Sequence, residues 1–217
     1  MHTKDEIRRF TYVSVLLAAV AFALMAWKLD NWEMSKTWPM RLSSSISLPF
    51  FFWIYFIKYG WRQKLLSWIA PRPNVRGTWV GHLESNWAPN QPVLYQNVLP
   101  IAMSIRQDFF GIVIKSFTQR AEGTSVFAQA AHRVEAAETV LAYIYSLRDE
   151  FSAGSGRQQG AGFLRVVRGT HDEMNGEYWT NTKTQGRLLL RRVSSEEIAS
   201  YITAQKSYPA SKWPRFS

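Results

Sequence analysis

Gly77-Thr78-Trp79-Val80-Gly81-His82-Leu83-Glu84-Ser85 alternates along its whole length. Trp79, Gly81 and Leu83 point one way; Val80, His82 and Glu84 point the other, which is the period of an extended strand. From Arg76 onward that period recurs between turn signals. It predicts eight strands: Gly77–Ser85, Asn97–Gln107, Phe110–Thr118, Thr124–Val134, Thr139–Leu147, Gly162–Thr170, Gly176–Asn181 and Gly186–Val193. Punctuation comes from Ala88-Pro89-Asn90, Gln107-Asp108, Glu122-Gly123, Glu135–Glu138, a flexible Ser152–Gly160, Met174-Asn175-Gly176 and Lys183–Gly186. Most gaps have hairpin length, so consecutive strands run antiparallel as a meander. A meander left open exposes two edges. The economical closure is an eight-stranded up-and-down antiparallel β-barrel, its interior filled by side chains or holding one small ligand.

Alternation also assigns faces. Ile101, Met103 and Ile105 form one apolar row, Ile112 and Ile114 another, and Leu141, Tyr143, Tyr145 and Leu147 a third. Leu188 and Leu190 alternate with Arg187, Leu189 and Arg191. Trp79, just inside the first strand, reads as a core plug for the barrel base rather than a stacking platform.

Upstream lie two stretches without a charged side chain, Phe10–Trp27 and Ser43–Ile57. At about 1.5 Å per residue the first covers most of a hydrocarbon core; the second does so if Tyr55–Trp61 anchors its end. Trp27-Lys28 closes the first with no small-residue cleavage pattern, so it reads as a retained span. Pro49 is expected near the start of the second, where a first-turn position or a kink is tolerable. The predicted organisation is a transmembrane α-helical hairpin at 1–70, an all-β barrel at 71–193 and a tail at 194–217. The tail carries a short helix near Glu196–Ala204 and is either unordered or docked on a neighbour or on lipid headgroups.

The chain has 217 residues and a formal charge of +10, with 26 Lys/Arg against 16 Asp/Glu. The excess gathers beside the apolar stretches. Lys58–Arg76 alone holds Lys58, Arg62, Lys64, Arg72 and Arg76 with no acid. Such flanks set topology and meet anionic headgroups, which argues against a DNA or RNA polymer as partner. They place both termini of a two-span membrane protein in the cytoplasm, although Lys28, Lys36 and Arg41 add bases to the intervening loop. There is no cysteine, which excludes disulfides, thiolate metal sites and cysteine nucleophiles. His2, His82, His132 and His171 are too scattered for a metal site, no nucleophile elbow surrounds a serine, and no phosphate loop joins a strand to a helix. His171-Asp172-Glu173 reads as a solvated strand end. Neither an enzyme nor a cofactor is expected.

Two spans, a short basic linker and Gly77-Thr78-Trp79-Val80-Gly81 opening an eight-strand barrel resemble the two-transmembrane β-barrel effectors of CBASS, the bacterial antiphage systems that signal through cyclic oligonucleotides. Leu141-Ala142-Tyr143-Ile144-Tyr145, Arg168-Gly169-Thr170, Gly176-Glu177-Tyr178-Trp179-Thr180 and Gly186-Arg187-Leu188-Leu189-Leu190 are similar as well. The likeness runs to about Val193 and rests on order and architecture. It implies that a cyclic nucleotide synthase makes a cyclic dinucleotide, that the barrel binds it, and that a ligand-induced homo-oligomer disrupts the inner membrane in abortive infection. Two phosphates and two flat bases call for cations or amides and for aromatic faces. Candidates for stacking are Tyr143, Tyr145, Tyr178 and Trp179. Candidates for phosphate are Arg106, Arg168, Arg187 and Arg191; Thr170, Thr180 and His171 are candidates for further hydrogen bonds.

Two other readings remain at this point. A membrane-anchored, lipocalin-like carrier of a lipid or small apolar ligand would have an almost wholly apolar lining with no inward arginine. A recruiting module would have a filled barrel and no ligand.

Overall fold

The computed structural model describes residues 4–28, 34–86, 97–133, 138–149, 158–167 and 172–215. They form two compact units, Met1–Arg72 and Pro73–Ser217.

The first unit is helical: α1 (Lys4–Lys28), α2 (Met34–Lys58) and a 3-10 turn at Gly60–Arg62. The helices pack through Phe10 and Trp53, whose ring centroids are 4.5 Å apart. The Trp53 indole N–H donates to the Ser14 hydroxyl at 2.9 Å, and that hydroxyl donates to the Phe10 carbonyl at 2.8 Å. An indole in apolar surroundings needs such a partner. Past α2 the chain folds back, burying Trp61, Ile69 and Ala70, and the Arg9 guanidinium donates to the Trp68 carbonyl at 2.6 Å. Within Lys4–Trp27, α1 is long and apolar enough to cross a bilayer; the apolar part of α2, Ser45–Lys58, is shorter. Because α2 begins at Met34, Pro49 lies inside the helix and not at its first turn. It has no N–H for the carbonyl four residues back, and its ring crowds that carbonyl.

The second unit is a closed barrel of β1 (Gly77–Ser85), β2 (Asn97–Gln107), β3 (Ile112–Phe117), β4 (Ala121–Arg133), β5 (Glu138–Asp149), β6 (Gln158–Val166), β7 (Glu173–Thr180) and β8 (Gln185–Ser194). Each strand is antiparallel to the next, and β8 closes on β1 with Gly81 opposite Leu190 and Leu83 opposite Leu188. The expected eight strands and their closure are therefore present. Three strand starts move by three residues or more: β4, β6 and β7, the last because Met174 and Asn175, expected as a turn, pair with Leu190 and Leu189 of β8. β4 starts at Ala121, because a tight turn pairs Thr118 with Ala121 and leaves Gly123 inside the strand. β6 starts at Gln158, inside the stretch expected to be a loop, because Gly160 and Gly162 are strand residues facing Tyr145 and Tyr143 of β5.

The interior holds Trp79, Leu83, Ile101, Met103, Ile105, Ile114, Leu141, Leu164, Met174, Leu188 and Leu190. Pro73–Arg76 runs into one end of it. There the Val75 N–H donates to Gln107 Oε1, the Gln107 amide donates to the Pro73 carbonyl, and Trp79 Nε1 donates to the Val75 carbonyl, all at 2.9 Å. Gly77 turns the chain into β1 with φ +127°, a left-handed value that disfavours any side chain.

The described residues after β8 are ordered. They form a strap on the outer wall of their own barrel. Its helix α3 (Tyr201–Ser207) starts later than the sequence pattern predicts, where the Ser200 hydroxyl caps it by accepting from the Thr203 N–H at 3.2 Å. Ala204 and Trp213 pack with Val80 of β1 and Ala102 of β2.

Candidate functional site

Barrel register separates the two ends. β1 runs from Gly77 at the Trp79 end to Ser85 at the other. At the Ser85 end, one ring of inward positions reads Tyr143, Gly162, Tyr178, Gly186 and Ser85 across β5, β6, β7, β8 and β1. The next ring towards the mouth contains Tyr145, Gly160 and Thr180. Tyrosine thus alternates with glycine around the wall. A Cβ on Gly162 would lie 2.7 Å from Tyr143 Cζ, and one on Gly186 would lie 2.8 Å from Tyr178 Cε1. The glycines let the phenol rings lie flat against the neighbouring strand. Tyr143 and Tyr145 sit 5.6 Å apart at 33°. Below them the wall turns apolar, with Leu141, Leu164, Leu188 and Leu83.

Burial pushes the Tyr143 phenol well above its ordinary range, with the neighbouring Tyr145 and Tyr178 adding to the effect. Burial, then Tyr178, does the same to Tyr145. Tyr178 is raised by burial, partly offset by a hydrogen bond with Ser85. The phenols are therefore neutral at any physiological pH and able both to donate and to accept. One consequence is measurable. Below pH 10 the folded and unfolded chains bind these protons alike. Above pH 10 the unfolded phenols ionise while the folded ones do not, so stability falls as pH rises, by about 1.4 kcal/mol per pH unit for each phenol. Urea midpoints measured from pH 8 to 11 should be level up to about 10 and then drop, and Tyr143→Phe should flatten that drop.

Four of the proposed site residues, Tyr143, Tyr145, Tyr178 and Thr180, come together in this inner wall. Four others face outward. Arg187 donates to Glu84 Oε2 at 2.7 and 3.1 Å, and Arg191 donates to Glu173 Oε1 at the same two distances. Arg106 is exposed on the outer face of β2, and Trp179 stacks on Phe163 outside the barrel with centroids 5.9 Å apart. Arg168, Thr170 and His171 lie outside the described residues. Trp79 is fully buried at the far end from the tyrosines. The sequence reading passed over Ser85, Gly160, Gly162 and Arg192. Extending the Leu188, Leu190 alternation by one step would have found Arg192, which pairs with Trp79 and holds its guanidinium 6.0 Å from that ring. Among the described residues no cluster of three or more metal-ligating side chains occurs.

The sequence matches the model of a family described as Cap15, cyclic dinucleotide receptor domain, over residues 70–192, more than half of the chain. The chain belongs to this family. Cap15 is a CBASS effector family, and the matched segment is its cyclic dinucleotide receptor domain. Within that Cap15 domain lie all eight strands, apart from the last two residues of β8, and the whole tyrosine–glycine wall. The strap lies beyond it. No curated protein matches the sequence.

Proposed function

We propose that this chain is an inner-membrane CBASS effector: its barrel takes a cyclic dinucleotide at the Ser85 end, the chains self-associate, and the gathered helices breach the bilayer and kill the cell. The observation that carries this reading is the Cap15 receptor-domain match spanning the barrel. At the mouth, Tyr143, Tyr145 and Tyr178 supply faces for the bases, and their hydroxyls with those of Ser85 and Thr180 supply hydrogen bonds. Arg187 and Arg191 are engaged with carboxylates on the outer wall, so phosphate is met by hydroxyls and amides at the mouth instead. An all-apolar carrier would not place this many hydroxyls in its lining.

Both helices cross the bilayer in this reading, α2 with help from its aromatic end, leaving both termini and the barrel in the cytoplasm beside the cyclic nucleotide synthase. A single hairpin cannot enclose a pore, so damage needs several copies. Tethering in a plane raises local concentration until weak contacts suffice. The ligand drives assembly only by binding the assembled form better.

Calorimetry of the full chain in detergent against a panel of cyclic dinucleotides tests the binding step. At least one should bind, and Tyr178→Ala should weaken it by roughly ten- to a hundredfold, the value of a base–aromatic stack. Absence of heat with every member would overturn the reading. Co-expression with the cognate synthase should arrest growth, and deletion of residues 1–70 should relieve that arrest. Arrest that persists without them would remove the helices from the mechanism.

A further inference from the structure

The outer wall of β4–β7 is apolar where it should be polar. Phe127, Ile144, Ala161 and Trp179 stand directly opposite one another across these strands, forming a single row around the barrel. Phe163 stacks on Trp179. A β-bulge between Ser125 and Phe127 pushes Val126 outward beside the row. The large side chains of this patch are 44–75% exposed. A lone exposed leucine needs no explanation, but a contiguous aromatic patch marks an interaction surface. The contrast within the molecule sharpens this. The wall of β1 and β2, whose apolar groups Val80 and Ala102 are smaller, is covered by the strap. Among the described residues nothing covers the more aromatic wall.

We infer that the β4–β7 wall is the face through which one copy of this chain meets another. Three features select a second copy over other partners. First, a groove of about 330 Å³ lies on the same face, between Phe163 and Arg187, with Glu177 and Leu189 along it. That is the small end of the range for ligand clefts and takes one aromatic side chain. A two-fold interface needs knob and hole on one surface, so that each copy fills the other. Trp179 is the knob, two residues along β7 from Glu177 at the edge of the groove. Second, the rim carries both signs: Arg165 pairs with Glu138 at 3.5 Å, Arg187 pairs with Glu84, and Glu177 lies between them. Mixed charge around an aromatic centre is self-complementary and has the anatomy of a protein interface. Third, those rim carboxylates disfavour an anionic bilayer surface.

This inference rests on the self-association proposed above and adds its location. The test is the mass of the full chain in detergent, with and without a bound cyclic dinucleotide, for wild type, Phe127→Glu, Phe163→Glu and Ile202→Glu. Ile202 is exposed on α3, over the β1–β2 wall and away from β4–β7. Wild type and Ile202→Glu should assemble alike, while the two wall variants should need at least tenfold more protein to assemble. Their melting temperature and the ligand affinity of the unassembled chain should stay unchanged. Wall variants that assemble like wild type would overturn the location and leave self-association standing. A wild type that is monomeric under all conditions would overturn self-association itself. The chain has no native cysteine, so Ile144→Cys takes a single fluorophore. Quenching of that label by spin-labelled lipid in vesicles would assign the wall to the bilayer and overturn the inference.

Discussion

Replacing Trp79 with alanine should lower the stability of the barrel by about 3–5 kcal/mol, the usual cost of deleting a fully buried tryptophan. For a domain of this size that is roughly 6–20 °C in melting temperature and a large share of the total. The cavity would not collapse easily. On one side Val75 is fixed through Gln107, which also holds the Pro73 carbonyl. On another, Arg192 lies over the ring. The Val75 carbonyl would also lose its 2.9 Å donor in a buried place, which adds to the loss. Trp79→Phe separates these terms. It keeps most of the volume, loses the hydrogen bond and should cost only about 1–2 kcal/mol. The same pair of variants decides what the residue is for. If Trp79 is a plug, Trp79→Phe leaves cyclic dinucleotide affinity where it was, because the tyrosine wall is at the other end. A change in affinity with little change in melting would make Trp79 a ligand platform instead.

The barrel was legible because period-two alternation survives in every strand and because an open meander has nowhere to hide its edges. The exceptions are instructive. Gly160 and Gly162 sit in a Gly/Ser/Gln-rich run that looks like a mobile loop on composition alone. What makes them strand residues is the pair of tyrosines on β5, far away in sequence, that need a bare neighbour. The site was only partly legible for a similar reason. Arginines 187 and 191 have the right chemistry for phosphate, but alternation had already placed them opposite Leu188 and Leu190, on the outside. Giving the faces more weight than the residue types would have moved them to the surface and brought in Ser85. Pro49 stays near the start of the apolar part of α2, but not in a first turn, because the helix starts earlier, in a polar segment that hydropathy does not flag. The strap was illegible because its docking depends on two small residues, Val80 and Ala102, whose outward faces have no pattern of their own.

Ending the chain at Ser194, close to the limit of the matched receptor domain, should leave a barrel that still closes but melts about 5–10 °C lower. The strap is part of the folded unit. Trp213 and Ala204 are buried against Val80 and Ala102, and both of those would face water without it. Burying a side chain of this kind is worth about 1.5–3 kcal/mol. Against this stands the entropy of ordering the strap, so the net loss should be near 2–3 kcal/mol rather than the sum. Polar ties would go as well. The Thr78 hydroxyl donates to the Glu196 carbonyl at 2.5 Å, the Ile198 N–H donates to the Ser104 hydroxyl at 3.3 Å, and His82 Nδ1 lies 2.8 Å from the Pro214 carbonyl. His82, Thr78 and Ser104 are all buried now and would regain water as partners, which limits the penalty. Trp213→Ala in the intact chain should give most of the same shift, since its ring packs against Tyr201 and the His82 imidazole and its indole N–H donates to the Tyr208 carbonyl at 2.8 Å. A truncated chain that melts with the wild type would mean that the strap merely rests on the wall. A truncated chain that melts lower and also aggregates would show why the wall is covered: Val80 and Ala102 would then form a second bare patch on a barrel that already exposes one.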